Sequence, residues 1–79
     1  MIGKMYQIMF RSYYRKLGYQ AFRKTCIHNR ETFAILDNNH PRLYPTEKMA
    51  ERDAERILDR CSNLMPDYKI IDAREGAEK

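Results

Sequence analysis

One stretch of this chain carries a helical pattern strong enough to constrain everything else. From Thr46 to about Leu64 the apolar residues Ala50, Ala54, Ile57, Leu58, Cys61, Leu64 and Met65 recur at three- and four-residue intervals, and Pro45 and Pro66 bracket the run. That spacing gathers them on one stripe of an α-helix. Thr46 is suited to cap its N-terminus, and Glu47 in the first turn complements the helix dipole. A helix with one apolar stripe needs another layer to cover it, and the flanking segments supply candidates for a sheet.

Lys4 to Tyr14 alternates, with Tyr6, Ile8 and Phe10 on one face and Met5, Gln7 and Met9 on the other, which predicts a strand over about 4–14. Arg15-Lys16-Leu17-Gly18 reads as a hairpin turn, Gly18 being free to take positive φ. A second strand is expected over 19–27; the consecutive cations Arg23 and Lys24 require either a charge on each face or a bulge. His28-Asn29-Arg30-Glu31 is the next turn, with Asn29 suited to the left-handed region. Thr32 to Asp37 is the most apolar strand (32–37) and is expected centrally in the sheet. After the helix at about 46–64, Asp67 to Asp72 predicts a short last strand over 68–72, and the charged tail 73–79 is expected to fray. The reading is one small α+β domain over 1–79: two layers, a mainly antiparallel sheet with one helix packed on one face, in the order βββαβ.

Charge divides this chain sharply. All seven charged residues among the first 30 are basic (Lys4, Arg11, Arg15, Lys16, Arg23, Lys24 and Arg30), while the remainder holds all 11 acids and the other eight bases. The halves carry +7 and −3, consistent with the formal +4. Six of the nine aromatics (Tyr6, Phe10, Tyr13, Tyr14, Tyr19, Phe22) lie in the basic segment. Such a field favours encounter with an anionic partner, either an acidic protein surface or nucleic acid. The sharpest local feature is Arg11-Ser12-Tyr13-Tyr14-Arg15-Lys16, because adjacent tyrosines on a strand face opposite ways and one of them must be exposed. On the helix exterior, Glu47, Glu51, Glu55 and Asp59 form an acidic row beside the basic row Lys48, Arg52, Arg56 and Arg60. Pairs such as Arg52–Glu55 and Arg56–Asp59 are expected to make that face largely self-neutralising.

Catalytic constellations are missing from the pattern. Cys26, His28, His40 and Cys61 are zinc-type ligands but lack the paired close spacing of structural zinc sites, and Cys61 sits within the apolar stripe, so no metal is expected. A Cys61 nucleophile would need exposure and a lowered pKa, which burial opposes. Only Gly3, Gly18 and Gly76 are available, too few for a phosphate-binding loop. With 79 residues there is little room for a deep pocket. The expectation is therefore a protein with no enzymatic activity and no cofactor. No run approaches the roughly 20 apolar residues of a membrane span, Met1 to Phe10 has no signal-peptide core, and two distant cysteines make no disulfide framework. A reduced, cytoplasmic setting is expected, with no membrane partner.

The stretch Pro41-Arg42-Leu43-Tyr44-Pro45-Thr46-Glu47-Lys48-Met49-Ala50-Glu51-Arg52-Asp53-Ala54, followed by Asp67-Tyr68-Lys69-Ile70-Ile71, resembles short phage and prophage accessory proteins. In these, a Thr-capped helix with Ala at i and i+4 follows a hairpin and leads into a last strand. The resemblance covers roughly the second half. It implies a protein that binds and modulates a host system, as small anti-CRISPR and other anti-defence inhibitors do, acting in the host cytoplasm. A second, partial resemblance is to the double-stranded-RNA-binding domain, whose basic helix start Lys48 and Arg52 would match; its first helix and Lys-Lys pair are missing, position 47 being Glu. Integrase-arm-type sheet domains that read DNA share the three-strand-plus-helix order, and for them Arg23 and Lys24 would be groove-facing.

Two functions follow as expectations. The first is a non-enzymatic inhibitor or adaptor that docks its basic-aromatic hairpin on an acidic host protein or protein–nucleic-acid complex, through Arg11, Tyr13, Tyr14, Arg15 and Lys16 with Arg23, Lys24 and Arg30 supporting. The alternative is a DNA- or RNA-binding protein that lays the same hairpin on phosphates. Self-association through a sheet edge or Met5 and Met9 would make a homo-oligomer.

Overall fold

The computed structural model describes residues 5–14 and 16–73. Its elements follow in the order β1 (Tyr6–Ser12), β2 (Gln20–His28), β3 (Glu31–Leu36), α1 (Glu47–Arg60) and β4 (Leu64–Asp72). The strands form one antiparallel sheet in the order β3-β2-β1-β4, and α1 packs on one of its faces. This is the expected two-layer α+β fold. The tail from residue 74 onward, expected to fray, lies outside the described residues.

Alternation in β1 sorts its side chains as the pattern dictates. Ile8 and Phe10 are wholly buried under α1, with Tyr6 packed beside them. Their cross-strand neighbours Ile70 and Tyr68 in β4 share that face. Phe10 sits at the centre, meeting Phe22 and Tyr68 edge-on at centroid distances of 5.9 and 6.1 Å. From the other layer, Ala50 and Ala54 are fully buried, and with no side chain beyond Cβ they let α1 lie close on the sheet. Ile57, Cys61 and Leu64 complete the apolar contact.

Thr46 caps α1 as expected, its Oγ1 accepting the Met49 N–H at 3.2 Å. The helix stops at Arg60 rather than 64, and β4 begins at Leu64 rather than 68. Competition from the sheet explains both differences. The Cys61 N–H makes the last helical bond, to the Ile57 carbonyl at 2.8 Å, while Cys61 itself is extended and bridges to Thr32. Asn63 then bonds the backbone of Ala34 twice: its Oδ1 accepts the Ala34 N–H and its Nδ2 donates to the Ala34 carbonyl, both at 3.0 Å. Pro66 is tolerated because β4 is an edge strand, paired only with β1.

β3 is also an edge strand, not the central one its apolar content suggested. Its apolar residues are needed on the helix side, where Ala34 and Leu36 join the core, and its outer edge is shielded by Asn63 instead of another strand. Along β2 the register slips between Phe22 and Lys24, the bulge that consecutive cations called for. β1 and β2 pair directly only at Met9–Ala21 and Phe10–Gln20. Past that point they splay, and the segment leading to α1 enters the gap. The Arg42 N–H donates to the Phe22 carbonyl at 2.8 Å, and Tyr44 exchanges backbone bonds with Tyr6.

The β2–β3 turn carries Asn29 at φ 52° and Arg30 at φ 67°. Positive φ at both positions is the type I′ geometry that suits a tight hairpin, and its second position favours glycine. Asn29 was legible as left-handed; Arg30 was not, since a long side chain there costs about 1 kcal/mol. Arg30→Gly is therefore expected to stabilise by about 0.5–1 kcal/mol, the released strain exceeding the added chain entropy, and to raise Tm by about 2–8 °C. Thermal melts of Arg30→Gly and Arg30→Ala test this; a glycine variant that melts below wild type would show that the turn is unstrained.

Candidate functional site

The geometry of the connection from β1 to β2 follows from where β1 stops. Strand pairing ends at Ser12, two residues earlier than the sequence suggested, so alternation no longer governs the tyrosines. Both are exposed: Tyr13 by 55% and Tyr14 by 76%, with Leu17 exposed by 62%. Lys16 is exposed beside them, and Gly18 at φ +74° turns the chain back into β2. Two backbone bonds hold the start of this tip. The Tyr13 N–H donates to the Asn63 carbonyl at 3.0 Å, and the Tyr14 N–H donates to the Ser12 Oγ at 3.1 Å. A shallow concavity of about 350 Å³, lined by Arg11, Ser12, Tyr13, Lys16, Gly18 and Met65, lies against it.

Arg11 is not a free member of this tip. Its guanidinium lies 5.4 Å from the Tyr19 ring centroid, and its Nη2 is 3.5 Å from Asp67 Oδ2. The Lys69 ammonium, 4.5 Å from the same centroid, also holds the Tyr19 ring. The Tyr19 hydroxyl donates to Asp67 Oδ2 at 2.7 Å, and that bond, more than desolvation or the Asp67 charge, raises the phenol pKa. Arg11, Tyr19, Asp67 and Lys69 thus form a base that joins β1, β2 and β4 beneath the tip.

The eight residues expected to form one surface are therefore divided. Arg11, Tyr13 and Lys16 line one concavity, Tyr14 lines another that shares Ser12 with it, and Arg15 lies outside the described residues. The bulge sends Arg23 and Lys24 to different surroundings. Arg23 is half-buried near Asp37, whose pKa is lowered first by the Asn39 N–H and His40 and only slightly by Arg23. Lys24 lines a groove beside α1. Arg30 sits at the far end of β2, about 30 Å of strand away. Leu17, Asp67 and Lys69 lie outside the expected surface, while Tyr19 belongs to the basic-aromatic segment without being an expected contact. Leu17 could have been flagged as an apolar residue inside a turn; the others depend on which strands become neighbours.

The helix exterior is not self-neutralising in the expected way. Arg56 pairs with Asp53 at 2.7 Å instead of Asp59. The acidic row turns toward β4, where the Tyr68 hydroxyl donates to Glu55 at 3.5 Å; burial first, then the Glu55 and Glu51 charges, raises the Tyr68 pKa. Residues weighed for chemistry lie apart from the tip. Burial raises the Cys61 thiol pKa, which opposes thiolate reactivity, and His40 Nδ1 sits 3.1 Å from Asp37 Oδ2. Among the described residues, no group of three or more His, Cys, Asp or Glu side chains could hold a metal ion, and no helix is long and apolar enough to cross a membrane.

No family model matches the chain, and comparison with curated proteins and with solved structures likewise yields no significant match.

Proposed function

We propose that this chain is a non-enzymatic binding module that docks the β1–β2 tip on an acidic protein surface, as the resemblance to phage inhibitors implies. The observation that carries the reading is the joint exposure of Tyr13, Tyr14 and Leu17 beside Lys16. Three large side chains left in water contribute nothing to the core, and so much apolar surface on one short connection marks an interaction site. Tyrosine gives much contact area for the loss of two side-chain torsions and dominates protein hot spots, while a rim cation steers encounter with acidic groups. The Arg11–Tyr19–Asp67–Lys69 base fixes the roots of the tip, so less entropy is lost when it docks.

Capture from a host lysate, with and without nuclease, tests the reading against three forms of the protein. Wild type is expected to retain the same protein in both lysates. Tyr13→Ala/Tyr14→Ala is expected to lose it by about 100-fold or more in affinity, with an unchanged melting curve. Lys16→Glu is expected to slow association and flatten its salt dependence. A captured protein that disappears on nuclease treatment, or that binds the double-alanine variant normally, rules this reading out.

A further inference from the structure

A second surface lies away from the tip. Between the side of α1, β2 and the segment leading into the helix, two adjoining concavities of about 320 and 350 Å³ share Arg42, Asp53 and Arg56 and form one groove along the helix. Its charged lining is Lys24, Arg42, Arg52, Arg56 and Arg60 against the single acid Asp53. Asp53 is already engaged: the Tyr44 hydroxyl donates to its Oδ2, and Arg56 donates to its Oδ1 at 2.7 Å. Lys24, Arg42, Arg52 and Arg60 have no carboxylate partner among the described residues. Arg42 is held in place, its guanidinium 5.6 Å from the Tyr44 ring centroid.

We propose that this groove binds the sugar-phosphate backbone of a nucleic acid duplex. Guanidinium forks match phosphate oxygens in geometry as well as charge, and the Thr25 and Thr32 hydroxyls that also line the groove are further phosphate-type donors. Arg52, Arg56 and Arg60 rise along the helix at four-residue steps, so the row extends about 12 Å. With Lys24, Arg42, Arg52 and Arg60 free of carboxylate partners among the described residues, the groove has the charge to neutralise about three or four backbone phosphates. The groove's aromatics are buried in its wall, Phe22 exposed by 3% and Tyr44 by 6%, and Met49 is the one exposed apolar side chain in its lining, so it offers no platform for unstacked bases and no aromatic anchor for a protein. That composition selects a duplex backbone, without base readout.

Fluorescence anisotropy of the full chain with a labelled duplex and the matching single strand, over a salt series, tests the groove. The duplex is expected to bind more tightly than the single strand, and about 40- to 150-fold more weakly at 200 mM than at 50 mM salt for three or four phosphates. Arg52→Gln/Arg60→Gln, both on the exposed side of α1, is expected to keep the wild-type melt and to reduce the salt slope by about 1.8. Arg52→Lys/Arg60→Lys should preserve the slope, because charge is kept. Tyr13→Ala/Tyr14→Ala should also preserve it, so the tip and the groove fail or succeed separately. No duplex binding at 50 mM salt, an unchanged slope in the glutamine variant, tighter binding of the single strand, or displacement by polyglutamate as readily as by unlabelled duplex would each overturn the proposal.

Discussion

Phe10→Ala is expected to bring this protein to the edge of unfolding. Phe10 is wholly buried, packs edge-on against Phe22 and Tyr68, and lies on a central strand beneath α1. Removing a buried phenyl ring forfeits its transfer free energy and leaves a cavity, at a cost of about 3–5 kcal/mol. A 79-residue chain has a total stability of about 4–12 kcal/mol, so one truncation removes a large share of it. The expected fall in Tm is about 12–40 °C. Met9→Ala is the matching control: its side chain points to the face away from α1, beside its partners Ala21 and Lys69, it is only part-buried, and its loss should cost about 1 kcal/mol. Denaturant melts of both variants decide the matter. Equal costs at the two positions would mean that the helix does not distinguish the faces of β1.

The same strand shows what the sequence made legible and what it withheld. Period-two alternation identifies the buried face of β1 because that choice is local, and Thr46, Gly18 and Asn29 could be read because caps and turns are local as well. Strand order is not local. β3 looked central by composition, yet it lies at the edge because Asn63, separated from it by the whole helix, shields its outer side. The helix end and the start of β4 were misplaced for the same reason: Leu64 continues the apolar spacing of a helix but is claimed by pairing with Ser12. Candidate surfaces divide likewise. Strand alternation predicts that one of the adjacent tyrosines is exposed; both are, because β1 stops at Ser12 before reaching them. The groove needs Lys24 and Arg42 brought beside Arg52, Arg56 and Arg60, and only the docking of α1 on the sheet does that. Read along the helix alone, those cations look balanced by the neighbouring acids; placed on the sheet, acids and bases go to opposite flanks.

Asn63→Ala is expected to cost about 2–3 kcal/mol although the residue adds nothing to the apolar core. Its amide replaces a neighbouring strand for Ala34, accepting from the N–H and donating to the carbonyl at 3.0 Å each. Alanine would leave both backbone groups without a protein partner at a half-buried site, and each such loss costs about 1–1.5 kcal/mol. The expected fall in Tm is about 8–24 °C. Local consequences should exceed global ones. The weaker Ser62 bonds, from its N–H to the Thr32 carbonyl at 3.4 Å and from its hydroxyl to Glu31 at 3.5 Å, are too long to hold the junction, so the loop between α1 and β4 should detach from β3. Hydrogen exchange reads this directly: the Ala34 amide should lose protection under conditions where Ile8 keeps it. An opened β3 edge also widens the surface concavity of about 300 Å³ that Ala34, Ile35, Leu36 and Asn63 line with Ser12, Tyr14 and Gln20, which should make the variant prone to concentration-dependent association. Asn63→Asp separates the two bonds, since a carboxylate still accepts the Ala34 N–H but repels the Ala34 carbonyl, and it should be no better than alanine. If Asn63→Ala melts within about 0.5 kcal/mol of wild type and Ala34 stays protected, β3 is held by its pairing with β2 alone and the closure by Asn63 is incidental.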